Sequence, residues 1–134
     1  MLKIIITLAL VSHGIGHSMG LLQIFKVATV SPNWNGDSWL FNGPAGSSVS
    51  QIVAVSLWTL AIVGFAALAA VVVGWLPEAW WVPLAIGASA VSLAGLFLFP
   101  VAFPLFSTIG ALAANVAVLV AVLWWQWVPS DLAA

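Results

Sequence analysis

Four apolar stretches, each long enough to cross a bilayer as a helix and nearly free of charge, constrain this chain more than anything else in it. They run over about residues 2-26, 50-76, 81-99 and 105-128. A helix rises about 1.5 Å per residue and the hydrocarbon core of a bilayer takes about 20 residues, so each stretch is of spanning length. Hydrophobic residues make up 64% of the 134 and charged residues only 4%, too little polarity to wet the surface of a soluble domain. The expected fold is all-α: one membrane domain, residues 1-134, built as an antiparallel bundle of four transmembrane helices with the lipid bilayer as its solvent.

Every charged side chain, Lys3, Lys26, Asp37, Glu78 and Asp131, sits at or beyond the end of an apolar run. No basic patch exists to neutralise phosphates, which excludes nucleic-acid binding. There is no cysteine, so neither a disulfide framework nor a thiolate metal site is available. Most of the nine tryptophans cluster near the ends of runs, where indoles prefer the headgroup zone; Trp58 alone lies well inside one. An even number of spans places both termini on one side. Lys3 favours an inside N-terminus and Lys26 the reverse; with the longest loop outside, the termini are cytoplasmic.

That loop, residues 27-49, holds the one long polar segment and the turn formers Pro32, Asn35, Gly36, Asn42, Gly43 and Pro44. Trp34, Trp39, Leu40 and Phe41 interrupt its polarity, so it is expected to fold back onto the membrane surface, as a connector or as a lid. Ser48 or Ser50 is a plausible N-cap for the second helix. Pro77 stops that helix, and Pro83 fits the first turn of the third. The series Ala85, Ala88, Ser89, Ser92 and Gly95 suits close packing between helices.

Both histidines fall in the middle of the first run, in His13-Gly14-Ile15-Gly16-His17. Four apart, they share one helix face about 6 Å apart along the axis, and Gly16 and Gly20 continue that face. Because helix direction alternates, residues on the other runs can be placed by depth. His13, His17, Thr59, Ser92 and Asn115 fall within roughly 6 Å of the midplane, so each helix brings a polar residue to one layer. Such groups avoid lipid and find partners across helices. Asn115 in particular needs one, since an unpaired amide in hydrocarbon costs several kcal/mol. Intramembrane histidines are candidates for a ligand or proton site.

Histidines at this spacing can hold one face of a metal ion, but cysteine is absent and the carboxylates lie outside the spans, so no metal site is expected within one chain. Two histidines of one helix face cannot approach a haem iron from opposite sides. A single histidine ligating a haem or chlorophyll-type ring, with Gly16 and Gly20 leaving room for it, or binding a quinone, remains open, with Asn115 supporting it. No acidic residue orients either histidine, and no catalytic set is present.

The segments His13-Gly14-Ile15-Gly16-His17, Leu57-Trp58-Thr59-Leu60, Trp80-Trp81 followed by Ser89 and Ser92, and Gly110-Ala111-Leu112-Ala113-Ala114-Asn115 together carry a resemblance. The chain resembles a group of small, mostly uncharacterised bacterial four-helix membrane proteins. Those have His-Gly-x-x-His in the first helix, Leu-Trp-x-Leu in the second, a Trp-Trp pair opening the third, and Gly-x-x-Ala-Asn in the fourth. The last segment is one residue longer here. The resemblance implies the fold, the polar layer and a bacterial inner membrane; it implies no activity. The leading expectation for function is a small accessory subunit, without catalytic machinery, packed against other membrane subunits of a larger complex or against itself. The alternatives are a haem, chlorophyll-type pigment or quinone-binding module using His13 or His17, and a small-solute or ion transporter working as a homo-oligomer.

Overall fold

A computed structural model describes residues 1 to 41 and 46 to 133. Among these the regular structure is helical: α1 (Leu2–Gly16), α2 (Ser18–Ile24), α3 (Gly46–Val72), α4 (Trp81–Leu98) and α5 (Leu105–Leu123), with short 3-10 turns at Glu78–Trp80 and Pro129–Ala133. Helices α1 and α2 continue one another, so four spans, Leu2–Ile24, Gly46–Val72, Glu78–Leu98 and Leu105–Leu123, are long and apolar enough to cross a membrane. The described residues thus form an all-helical bundle of four helices long and apolar enough to cross a membrane.

The first span is not continuous. At His17 the backbone tightens, its N–H donating to the Gly14 carbonyl at 3.1 Å, three residues back instead of four. Gly14, Gly16 and Gly20 surround this point, and glycine is the residue that least resists such a change. Helix α3 begins at Gly46, ahead of the expected Ser48 or Ser50 cap, and Ser50 lies inside it. Helix α5 stops at Leu123; Trp124 to Trp127 leave the axis, and Gln126 takes a left-handed conformation at φ 50°. Pro83 lies in the first turn of α4, as its fixed φ favours.

Helix α3 is the hub, packed against α1, α2 and α4, while α5 lies along α4 and touches α1 lightly. Small residues set the spacing. A Cβ on Gly64 would lie 2.8 Å from the Ala88 Cβ, and one on Gly14 would lie 3.1 Å from the Phe65 Cβ. Ala85, Ala88, Ser89, Ser92 and Gly95 are all buried. Close backbone approach and dispersion, not water exclusion, hold such helices together.

The interior divides into two apolar clusters. One includes Leu10, Phe65, Leu68, Val72, Trp81, Ala85 and Val122. The other, toward the loop, includes Trp34, Ala54, Trp58, Leu96, Phe99, Ala102 and Phe103. Trp58 stands at the centre of the second, edge-on to Trp34, Phe99 and Phe103 at ring-centroid distances of 5.4, 5.5 and 5.2 Å.

The loop after α2 packs across the bundle end. The Gln23 amide organises it: Nε2 donates to the Ser31 and Trp34 carbonyls, and Oε1 accepts from the Val30 and Ser31 N–H groups. Further along, Ser31 Oγ, Ser38 Oγ and Trp39 Nε1 donate to the carbonyls of Val101, Leu98 and Phe97. The last two residues of α4 and Val101, three residues past its end, thus find donors within the protein. The expected turn at Asn42, Gly43 and Pro44 lies outside the described residues. At the opposite end, Trp81 Nε1 donates to the Trp127 carbonyl, and Ser130 donates twice to the Glu78 carboxylate. The turn Pro129–Ala133 also touches α1.

Candidate functional site

The boundary between the two apolar clusters is polar on three of the four spans. His17 on the first, Ser92 on α4 and Asn115 on α5 are all buried. Asn115 Nδ2 donates to Ser92 Oγ at 2.8 Å and to the Ala111 carbonyl, one turn back, at 2.8 Å. Ser92 Oγ lies 2.9 Å from His17 Nε2. Since the Ser92 oxygen already accepts from Asn115, its own hydrogen is available to donate to His17 Nε2; in that arrangement the imidazole proton sits on Nδ1.

His13 adjoins this chain, half-buried. Its ring stands edge-on to His17 at 5.3 Å and to Phe65 at 4.3 Å between centroids. His13 Nε2 and Asn115 Oδ1 are both sealed without a hydrogen-bond partner. The two are complementary: one is an acceptor, and the other becomes a donor when the ring carries its proton on Nε2.

Of the five residues expected to share the layer, His17, Ser92 and Asn115 form one hydrogen-bonded chain, and His13 stands beside it. Thr59 does not join them. It is exposed on α3, one position after Trp58, whose indole takes the inward face. Depth follows from sequence position, but facing does not. The glycines also part company. A Cβ on Gly20 would lie within 2.7 Å of three Trp58 ring atoms, so that space is already filled. A Cβ on Gly16 would meet nothing within 4 Å.

Gly16 faces a cavity instead. Two cavities occupy the seam between the first span and α5, where those helices barely touch. The one toward the loop, about 180 Å³, is lined by Ser12, His13, Gly16, His17, Met19, Leu96, Phe103, Ser107 and Ala111. The other, about 370 Å³, is lined by Ile6, Ala9, Leu10, His13, Phe65, Trp81, Ala114, Ala117, Val118, Ala121, Trp125 and Trp127. The first is edged by hydroxyls and imidazoles; the second is almost wholly apolar. His13 is the residue common to both. Ser12 and Ser107 are not among the residues expected from sequence, because serine is common in spanning helices and marks no site by itself.

The residues present fit some ligands better than others. Among the described residues no three His, Cys, Asp or Glu side chains converge on a point, so a metal would find at most the two imidazoles. Axial ligation of a haem or chlorophyll-type ring ordinarily uses Nε2 aimed at open space. Here His17 Nε2 is engaged by Ser92 and His13 Nε2 is sealed, so neither is presented that way. A ligand that accepts or donates hydrogen bonds at one end and is apolar at the other matches the paired cavities.

Losing the Ser92 hydroxyl should loosen α5, because its buried residues are Asn115 and Val122. Interhelical hydrogen bonds in membranes contribute on the order of 0.6 kcal/mol each, and a buried orphan costs more. Ser92→Ala is therefore expected to destabilise the bundle by about 1–2 kcal/mol. Unfolding with denaturing detergent, followed by circular dichroism, checks this; an unchanged midpoint would show that the chain of polar contacts adds nothing to the fold.

Comparison with protein-family models, with curated proteins and with solved structures gives no match for this chain.

Proposed function

We propose that this is a membrane-embedded binding protein for a lipophilic molecule with a neutral hydrogen-bonding head, of the quinone type, held in the seam between the first span and α5. One observation carries the reading: His13 separates a cavity edged by His17, Ser12 and Ser107 from an apolar cavity walled by alanines and tryptophans. Together they have the size and two-part character of a site for a small amphiphile. The head is neutral because no Asp, Glu, Lys or Arg lines either cavity, and a charge there would be desolvated without a partner.

The accessory-subunit reading rests on an apolar exterior that lipid covers as well as a partner does, so the seam is the more specific feature. A transport path needs polar lining along the bundle axis, whereas this polar layer is closed off by an apolar cluster on either side.

Trp81, Trp125 and Trp127 border the apolar cavity and make a built-in reporter. Titrating the purified protein in mild detergent with a decyl-benzoquinone is expected to quench tryptophan fluorescence saturably. Decanol is expected to compete weakly, and decanoate not at all. Quenching that rises linearly, as it does for a free tryptophan analogue in the same micelles, would overturn the proposal.

A further inference from the structure

Helices α2 and α3 end in the same motif, with one difference. After α3, Gly74 adopts φ 83°; its N–H donates to the Val71 carbonyl and that of Trp75 to the Ala70 carbonyl. After α2, Lys26 adopts φ 57°; its N–H donates to the Gln23 carbonyl and that of Val27 to the Leu22 carbonyl. This left-handed position favours glycine, and a lysine there is strained. A cation placed only to complement the end of the helix would serve equally in the preceding turn, without strain.

Lys26 borders a cavity of about 250 Å³ under the folded loop, together with Gln23, Thr29, Ser31, Asn35 and Gln51 among others. Most of that polarity is already in use. The Gln23 amide makes four hydrogen bonds within the loop, Ser31 Oγ donates to Val101, and Asn35 is paired with Asp37. The Lys26 ammonium, the Thr29 hydroxyl and the Gln51 amide remain as exposed donors around one concavity. No acidic side chain lines it. Lys26 lies two residues beyond the end of the first span at Ile24, and a span of that length crossing a bilayer would bring it to the headgroup zone.

We infer that this cavity binds a phosphate group, that of an anionic phospholipid headgroup, through Lys26, Thr29 and Gln51. The site is separate from the seam and does not depend on what the seam binds.

The test uses the full chain in mild detergent, with phosphatidylglycerol and phosphatidylcholine of the same acyl chains competing for retention, read by native mass spectrometry. Phosphatidylglycerol is expected to be preferred by about fivefold, the weight of one lysine near an anionic surface, and Lys26→Gly should abolish that preference. Because glycine suits this backbone, Lys26→Gly should also keep or raise the thermal midpoint, which separates lost binding from lost folding. Lys3→Gln should change nothing. Inorganic phosphate that fails to displace the lipid places the site on lipid; phosphate that displaces it and binds the lipid-free protein assigns the same donors to free phosphate. An unaltered preference in Lys26→Gly, or an equal loss in Lys3→Gln, would overturn the inference.

Discussion

Trp58→Ala should cost the fold about 3 kcal/mol, the low end of what a buried tryptophan is worth in a soluble core. In lipid the gain from leaving water falls away, but the cavity and the lost dispersion contacts remain. Trp58 is 0% exposed and closely enclosed. Gly20 presses on one side, where an added Cβ would lie within 2.7 Å of the ring, and Gly95 on another, where it would lie 3.1 Å from Nε1. Trp34, Phe99 and Phe103 close the rest. Gly20→Ala should therefore damage the same contact from the other side, by about 1–3 kcal/mol as in other overpacked cores. Trp75→Ala, at a site 84% exposed, is the control and should be nearly silent. Equal unfolding midpoints for Trp58→Ala and Trp75→Ala would mean that the loop-side cluster does not hold the bundle.

Gly16→Leu should separate folding from binding. Nothing lies within 4 Å of a Cβ at this position, and leucine is the better helix former by somewhat less than about 1 kcal/mol. The unfolding midpoint should stay level or rise. The side chain would project into the cavity of about 180 Å³ beside His13 and His17, and affinity for the decyl-benzoquinone should fall by about tenfold or more, equivalent to about 1.4 kcal/mol. Retained affinity with a stable fold would place the ligand somewhere other than this cavity.

The number of spans and the depth of the polar layer are legible in the sequence because both follow from counting residues along apolar runs. His17, Ser92 and Asn115 reach one level for that reason. Facing is not legible, since helices that are apolar all round have no preferred side to read. Thr59 shows the consequence: it is exposed on α3 and takes no part in the hydrogen-bonded chain. The spacing of Gly16 and Gly20 is legible, but not that Trp58, from a different helix, fills the space at one and leaves the other open. Within the loop, Trp34 and Trp39 signal a segment that folds back. The anchor of Trp39, the Phe97 carbonyl at the end of α4, depends on tertiary placement that no local pattern records, whereas Trp34 bonds within the loop, to the Asp37 carbonyl. Gln23 carries a signal of its own: it is an uncharged amide at the end of an apolar run, and such a group in that setting needs partners.

The most direct measurement is organic extraction of the protein purified gently from its native membranes, with mass analysis of the extract, beside Gly16→Leu prepared identically. A stoichiometric lipophile with a neutral, hydrogen-bonding head, present in the native protein and depleted in the variant, is the expected result. A native protein that carries no such molecule, or a variant that retains it undiminished, would contradict a binding site in the seam between the first span and α5.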